Sequence, residues 1–313
     1  SKAPAPLTDA KQVRVQENLE RARMEFAQDE NIAFQELDSI DEPDAYREND
    51  VVEIFIRANS GGTKLGKSDL LFSLLTSSWE EADLVMEDLL EALNKTGYAF
   101  DRDFVLKTCL TLLDKGARYE VSKFRDGKTK EDININWDKI IAAIKDVRDF
   151  LYGKTYIRHD KALPSYLALI PIIYFRYHFA EKWPKVQRLD DYLLRSLMAG
   201  AFGGSPDNLI DKCVNTIKDD QDFIAGHIFD TIYADGRSLE LSPDLLLSLR
   251  YGEKELHLFF NLWYKEFNYQ PAFANNEPQV DHIFPQSILR EVKGVSSETG
   301  RRSITRYKAE QRD

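Results

Sequence analysis

The segment 163–179 places the strongest constraint on the fold, because its side chains are apolar on almost every side of a helix. Apolar and aromatic residues cover more than one helical face there: Tyr166, Leu169, Ile170, Ile173, Tyr174 and Tyr177. A helix without a polar face belongs in the interior of a bundle or in a membrane. The longest apolar run, from Tyr166 to Phe175, is only ten residues and contains Pro171, so it is too short to span a bilayer. The sequence therefore predicts a central helix of a helical bundle.

Amphipathic helical patterns recur along most of the remaining chain and predict a mainly α fold. The predicted helices cover 11–28, 44–59, 68–77, 80–94, 102–113, 137–151, 163–181, 189–199, 207–218, 221–232 and 253–267. Three further predictions concern the connections between helices. A short β-like stretch covers 33–40, a charged loop covers 123–132, and the pair Gly203 and Gly204 supplies the left-handed geometry that ends a helix.

The composition indicates a folded protein of two or three domains, with 313 residues and 43% hydrophobic content. We predict no secretory signal, because residues 1–9 lack an apolar core. Cys109 and Cys213 lie far from any Cys-x-x-Cys spacing, so we expect neither a disulfide framework nor a zinc ribbon. These features predict a cytoplasmic location and no membrane partner. Four histidines lack partners at metal-ligand spacing, and we interpret them as ordinary core or surface residues: His159, His178, His227 and His257.

The strongest chemical signal lies in residues 280–287, which have the sequence Val-Asp-His-Ile-Phe-Pro-Gln-Ser. An aspartate beside a histidine at the end of an apolar run is typical of one class of metal-dependent nuclease. In that chemistry Asp281 holds a divalent cation, Mg²⁺ or Mn²⁺, and His282 deprotonates the attacking water. The alternative is a short buried strand in which Asp281 and His282 close a turn before Pro285.

These residues resemble the first half of an HNH, or ββα-metal, nuclease domain, as found in modification-dependent restriction enzymes of the GmrSD type. The resemblance implies a second metal ligand, Asn or His, in the helix after the hairpin. Residues 283–313 contain neither residue type, and their carboxylates lie in no recognisable motif: Glu291, Glu298, Glu310 and Asp313. We therefore expect the chain to carry half of a nuclease site and not to cleave DNA by itself.

The charge distribution singles out the C-terminal residues. A net charge of −11 disfavours nucleic-acid binding over the whole surface. Residues 281–313 carry seven basic and five acidic side chains, so this part is +2 and the rest is −13. We predict that four arginines there contact DNA backbone: Arg290, Arg301, Arg302 and Arg306. The alternative is a solvated tail of mixed charge.

A second motif lies in residues 55–71, with the sequence Phe-Ile-Arg-Ala-Asn-Ser-Gly-Gly-Thr-Lys-Leu-Gly-Lys-Ser-Asp-Leu-Leu. Gly61 to Ser68 fits the Walker A pattern of a nucleotide-binding P-loop. A P-loop also needs a central parallel strand and a second apolar strand that ends in an aspartate. The helical remainder of the chain offers no such alternation of strands and helices, so we do not favour a P-loop NTPase.

Helix capping gives the same motif another interpretation. A glycine would take the left-handed position after a helix that ends near Asn59, Ser68 would cap the next helix, and Asp69 would favour the positive end of that helix. The result is a helix-turn-helix joint whose residues face a nucleotide or a neighbouring domain: Arg57, Asn59, Gly61, Gly62 and Asp69. A joint without any ligand is equally compatible with the pattern.

Taken with Asp281 and His282, residues 55–70 resemble the F-x-R-x-N-S-G-G-T-x-L-x-x-S-D-L signature of the GmrSD N-terminal family. The resemblance spans about 14–313 and implies a ParB-like nucleotide-handling domain, a helical region and a C-terminal HNH domain. It predicts boundaries of 1–78, 79–270 and 271–313 for these parts. The family's Asp-Gly-Gln-Gln-Arg motif does not occur in this sequence. ATP or GTP would then be bound through a part of the protein that this chain lacks.

Two functions from different classes follow from the sequence. The first is a DNA endonuclease of bacterial phage defence, which acts on modified phage DNA under the control of a nucleotide. The second is a non-catalytic helical interaction module in which Asp281 and His282 are remnants. Both functions are compatible with a homo-oligomer. A measurement of metal binding would distinguish the two functions.

Overall fold

The computed structural model describes residues 9–26, 54, 67–76, 79, 81–124, 128–265, 293–294 and 304–305. The chain divides into two compact units, Ser1–Phe55 and Ile56–Asp313. In the first unit, helix α1 covers Asp9–Phe26, and the side chains of residues 11–24 are exposed. This confirms the helix predicted for 11–28. The predicted β-like stretch 33–40 and most of the predicted helix 44–59 lie outside the described residues.

The described part of the second unit is mainly helical, as the periodicity predicts. Its α-helices are α2 (Lys67–Thr76), α3 (Ala82–Asn94), α4 (Arg102–Leu112), α5 (Lys128–Lys154), α6 (Ile170–His178), α7 (Leu189–Met198), α8 (Asp207–Asp220), α9 (Ala225–Ala234), α10 (Pro243–Ser248) and α11 (Lys254–Trp263). Short 3-10 helices cover Val121–Phe124, Asp160–Ala162, Tyr166–Leu169 and Trp183–Lys185. Two-residue strands, β1 (Lys293–Gly294) and β2 (Ile304–Thr305), pair antiparallel.

Helix α6 lies at the centre of this helical unit and packs against α4, α5 and α8. Ile170, Ile172, Ile173 and Phe175 are fully buried, which confirms the predicted central helix. The structure corrects its extent, because 163–179 is not one continuous helix. A 3-10 helix, Tyr166–Leu169, precedes α6, and Pro171 lies in the first turn of α6, where its missing N–H costs no hydrogen bond.

The loop predicted for 123–132 is wrong over its second half, because α5 begins at Lys128. Thr129 and Ile133 are buried and share one face of the first turn of α5. The charged residues around them gave this turn the composition of a loop. Its pattern is nevertheless that of an amphipathic helix, in which a few small or apolar residues anchor an otherwise solvated segment.

Gly204 takes the predicted left-handed conformation, with a φ of 67°, but helix α7 already ends at Gly200 and not at the pair Gly203 and Gly204. Gly200 has a φ of 63°. The Gly200 N–H donates to the Leu197 carbonyl at 3.1 Å, and the Ala201 N–H donates to the Ser196 carbonyl at 2.9 Å. These two bonds form a Schellman motif, which satisfies carbonyls that the end of a helix leaves open.

None of the helices in the described ranges is both long enough and apolar enough to cross a membrane.

Candidate functional site

Most of the residues predicted to form a site lie outside the described residues. This applies to the predicted nuclease pair, to the predicted DNA-binding arginines and to most of the motif joint: Asp281, His282, Arg290, Arg301, Arg302, Arg306, Arg57, Asn59, Gly61 and Gly62. Their roles stay predictions. The strands β1 and β2 follow Asp281 and His282 in the chain and pair in the register Lys293 with Thr305 and Gly294 with Ile304.

Asp69 is the predicted site residue that the structure describes. It is exposed and lies in the first turn of α2, where a carboxylate interacts favourably with the positive end of the helix. Helix α2 already begins at Lys67, so Ser68 lies inside the first turn and does not occupy the predicted cap position. Helix α2 packs against α4 and buries Phe72 and Leu75. This packing fixes the position of α2 against α4.

The described residues offer no support for a P-loop at Gly61–Ser68. The strands in these ranges, β1 and β2, form an antiparallel pair of two residues each. A P-loop follows a strand of a parallel sheet, and the backbone amides of the loop bind the phosphates. The described part of the chain contains no such sheet, and the joint at residues 57–69 stays a prediction.

Two histidines, His159 and His257, lie side by side although they are far apart in the sequence. His159 Nε2 lies 3.3 Å from His257 Nε2, and the two rings meet edge to face with centroids 5.0 Å apart. Both residues are buried. His159 precedes the 3-10 helix Asp160–Ala162, and His257 lies in α11. The two positions are 98 residues apart, so their spacing in the sequence does not indicate this contact, and both are buried as core histidines are.

The other two histidines also have partners. His178 Nε2 lies 2.9 Å from the Leu112 carbonyl oxygen, and burial lowers the pKa of its ring below the usual value. His227 Nδ1 lies 2.8 Å from Asp220 Oδ2 on the surface. Both are structural contacts of the kind predicted for core and surface histidines. Within the described ranges, no group of three or more His, Cys, Asp or Glu side chains is placed to hold a metal ion.

A network of polar groups surrounds the histidine pair. Asp160 Oδ1 accepts from Lys254 Nζ at 2.7 Å and from the Tyr166 hydroxyl at 3.0 Å. The Tyr166 hydroxyl in turn accepts from the Ala99 N–H at 2.6 Å. Burial raises the pKa of Tyr166 far above the usual value, and Asp160 raises it further, so the hydroxyl stays protonated and acts as a donor. The network fixes the segment around Asp160 against α11 and against the loop before α4.

A buried ion pair connects α4 to α8. Lys107 is only 5% exposed, and its Nζ lies 2.6 Å from Asp207 Oδ1 and 3.0 Å from the Ala117 carbonyl oxygen. The ammonium also lies 4.4 Å from the centre of the Tyr119 ring. Three partners therefore compensate the buried charge, and we interpret Lys107 as a structural residue and not as a nucleophile.

A surface groove of about 660 Å³ lies at the start of α9. Its charged lining residues are Glu181, Lys182, Lys185, Arg188 and Asp222. Lys182 Nζ donates to the Gln221 carbonyl oxygen at 2.6 Å, and Arg188 pairs with Asp191 at 2.6 Å. Three basic and two acidic residues line the groove, and two of the cations already have partners, so its charge gives no clear preference for an anion or a cation.

The amino-acid sequence matches no protein-family model and no curated protein.

Proposed function

We propose that this chain is part of a metal-dependent DNA endonuclease of the modification-dependent phage-defence type. Asp281 would hold Mg²⁺ or Mn²⁺, and His282 would be the general base that activates water. The observation that carries the proposal is the Val280–Ser287 segment, in which Val280 precedes the two residues and Ile283, Phe284 and Pro285 follow them. In this chemistry the metal neutralises the charge that builds on the scissile phosphate.

The order of features along the chain supports the proposal. The joint motif comes first, a mainly helical region of ten α-helices within the described residues follows, and the Asp-His segment comes last. This is the order that the resemblance to the GmrSD family implies. The arginines that follow Asp281 in the sequence would supply positive charge for a DNA backbone.

The proposal extends to a nucleotide that regulates cleavage. Asp69, which is exposed in the first turn of α2, would be one of the joint residues that respond to the nucleotide. ATP or GTP would be bound by a nucleotide-handling domain, and the joint would transmit its state to the helical unit. Modified phage DNA would be the substrate of the intact protein.

A mutational test uses the intact protein that carries this chain and a supercoiled plasmid with modified bases, in Mg²⁺ or Mn²⁺. His282→Ala should lower the nicking rate roughly 10²–10⁴-fold with unchanged DNA affinity, because a general base acts on the chemical step. Asp281→Asn should weaken metal binding, so that high Mn²⁺ restores part of the activity. His227→Ala is the matched control, because His227 is an exposed histidine paired with Asp220.

A non-catalytic helical interaction module is the second candidate. Large apolar side chains are exposed on and beside the last two described helices: Leu247, Tyr251, Trp263 and Tyr264. Exposed apolar groups of this size are typical of contact surfaces when they lie together. Wild-type nicking in the His282→Ala protein, together with a stable homo-oligomer in light scattering, would favour this candidate over the nuclease.

A further inference from the structure

The hydrogen bonds around His159 and His257 determine where each ring carries its proton. His159 Nδ1 accepts from the backbone N–H of Lys161 at 3.1 Å, so this nitrogen is unprotonated. A neutral imidazole carries one proton, and His159 therefore has it on Nε2. That N–H points at His257 Nε2, which accepts, and the proton of the His257 ring lies on Nδ1.

Protonation of either ring removes one of these two hydrogen bonds. A proton on His159 Nδ1 would face the Lys161 N–H, and a proton on His257 Nε2 would face the N–H of His159 across 3.3 Å. In both cases two donors would point at each other in a buried place. Such a contact loses the hydrogen bond and leaves polar groups without compensation. The two hydrogen bonds therefore form together only when both rings are neutral.

A metal ion would require different tautomers. The separation of 3.3 Å between the two Nε2 atoms is close to the edge of a tetrahedral zinc site, for which zinc–nitrogen distances are about 2.0–2.1 Å. Both Nε2 atoms would then have to present lone pairs. His159 presents an N–H instead, because its Nδ1 is already an acceptor. The geometry is that of a hydrogen bond between the rings and not of a metal site.

Charged side chains lie on the two elements that carry or adjoin the histidines and on a helix that packs against α11. They are Asp160 and Lys161 on the 3-10 helix, Glu253, Lys254 and Glu255 at the start of α11, and Asp190, Asp191 and Arg195 on α7, which also packs against α11. Lys254 is paired with Asp160, and Arg195 is paired with Asp191. Burial first, and then the charges of His159 and Lys161, lower the pKa of His257 to about 4.

We infer that His159 and His257 form a pH-sensitive latch that holds α11 on the 3-10 helix Asp160–Ala162. The latch is closed when both rings are neutral and opens when His257 takes up a proton. The sign follows from linkage, because His257 is a base whose pKa in the folded state lies below the unfolded value of about 6.5. The stabilisation is complete above about pH 6.5 and is lost as the pH falls from there towards 4.

The position of α11 gives the latch a consequence for the proposed function. Helix α11 is the last helix in the described part of the chain, and Asp281 and His282 follow it in sequence. Opening of the latch would loosen the connection of the candidate nuclease segment to the helical unit. This consequence rests on the proposed function, whereas the latch itself rests only on the contacts of α11.

Hydrogen exchange of the α11 amides tests the latch in the chain described here. Protection factors, which correct for the intrinsic effect of pH on exchange, are measured by mass spectrometry at pH 7 and at pH 5. In the wild type the opening equilibrium constant should rise roughly 20-fold between these values. His257→Gln should abolish this rise, because its amide oxygen can accept from His159 Nε2 and does not titrate. His159→Asn keeps an acceptor for the Lys161 N–H but removes the partner of His257, so it should lower protection already at pH 7.

Two control variants separate the latch from other effects. Asn261→Ala removes a neutral hydrogen bond from α11 to the Tyr156 carbonyl oxygen and should lower protection equally at both pH values. His227→Gln removes an exposed histidine elsewhere and should leave the pH dependence of α11 intact. Any one of three outcomes would overturn the inference. The wild-type protection of α11 could be the same at pH 7 and pH 5, or both latch variants could keep the full pH effect. The third is strong protection of α11 by added Zn²⁺ at pH 7. Because the experiment measures α11 and not cleavage, its failure would leave the proposed nuclease untouched.

Discussion

At the scale of single residues, the buried polar pairs decide where helices are held together. Lys107 and Asp207 are 100 residues apart in sequence and 2.6 Å apart in space. Taking a charge out of water is costly unless a partner compensates it, so removing one member of such a pair is more damaging than removing both. The pair therefore connects the first residue of α8 to α4.

We expect Lys107→Met to lower the free energy of unfolding by about 3 kcal/mol, because Asp207 would keep a poorly compensated charge. The double variant Lys107→Met with Asp207→Asn should be more stable than the single variant. Lys212→Met is the matched control, because Lys212 also lies 2.6 Å from a carboxylate, that of Asp235, but is half-exposed. Lys212→Met should lower the free energy of unfolding by less than about 1 kcal/mol. Urea denaturation of the four proteins provides the comparison, and equal losses for Lys107→Met and Lys212→Met would contradict the role of burial.

The polar pairs were the part of the structure that the sequence could not predict. His159 follows an arginine and His257 lies in an amphipathic helix, and neither position carries a local pattern that indicates the other. The approach of the two rings depends on how α11 packs against the 3-10 helix Asp160–Ala162. Periodicity specifies which face of a helix is buried but not which residue of another element it will meet.

At the scale of elements, local pattern predicted most of what the structure contains. The predicted helix 102–113 is observed as Arg102–Leu112, and the predicted helix 189–199 as Leu189–Met198. In α4, the Asp101 side chain accepts from the Phe104 N–H at 2.8 Å and caps the helix. Such signals lie within one turn of the residue they affect, which is why they can be found in a sequence without a structure.

Helix ends were predicted less well, because several nearby glycines compete for one role. Gly200, Gly203 and Gly204 lie within five residues of the sequence, and each could end α7. The choice of Gly200 depends on the carbonyls of Leu197 and Ser196, which lie within reach of the N–H groups of Gly200 and Ala201. Burial of Leu197 and Ala201 then fixes the turn. Burial of this kind is set by the packed fold and not by the local sequence.

Replacement of glycine by alanine should lower the stability of the protein at one position and raise it at another. Gly200 has a φ of 63°, a conformation that costs an L-residue roughly 1–2 kcal/mol, so Gly200→Ala should destabilise by about that amount. Gly153 lies inside α5 with no atom within 4 Å of an added Cβ, and Gly153→Ala should stabilise by roughly 0.5 kcal/mol, because alanine favours helix. Thermal unfolding followed by circular dichroism measures both. A stabilised Gly200→Ala protein would show that α7 does not end in the left-handed turn.

At the scale of the whole molecule, the charge pattern separates the proposed nuclease part from the helical unit. The excess of basic residues in 281–313 contrasts with the strongly acidic remainder of the chain. DNA affinity comes mainly from release of counterions by lysine and arginine at phosphates, and each contact adds about 0.9 to the slope of log affinity against log salt. A protein that is acidic overall should therefore bind DNA through a small basic region, and the salt dependence should report on that region alone.

Replacement of Arg301 and Arg302 by alanine should weaken DNA binding and reduce this slope by up to about 1.8, the equivalent of two phosphate contacts. The matched control is Arg188→Ala with Arg195→Ala, which removes the same charge from the helical unit, where both arginines pair with Asp191. That variant should leave the slope unchanged. Fluorescence anisotropy of a labelled duplex across a salt series measures both variants in the intact protein. If the two double variants lowered the slope equally, general charge and not a local contact would govern binding, and residues 281–313 would lose their assignment as the DNA-contacting part.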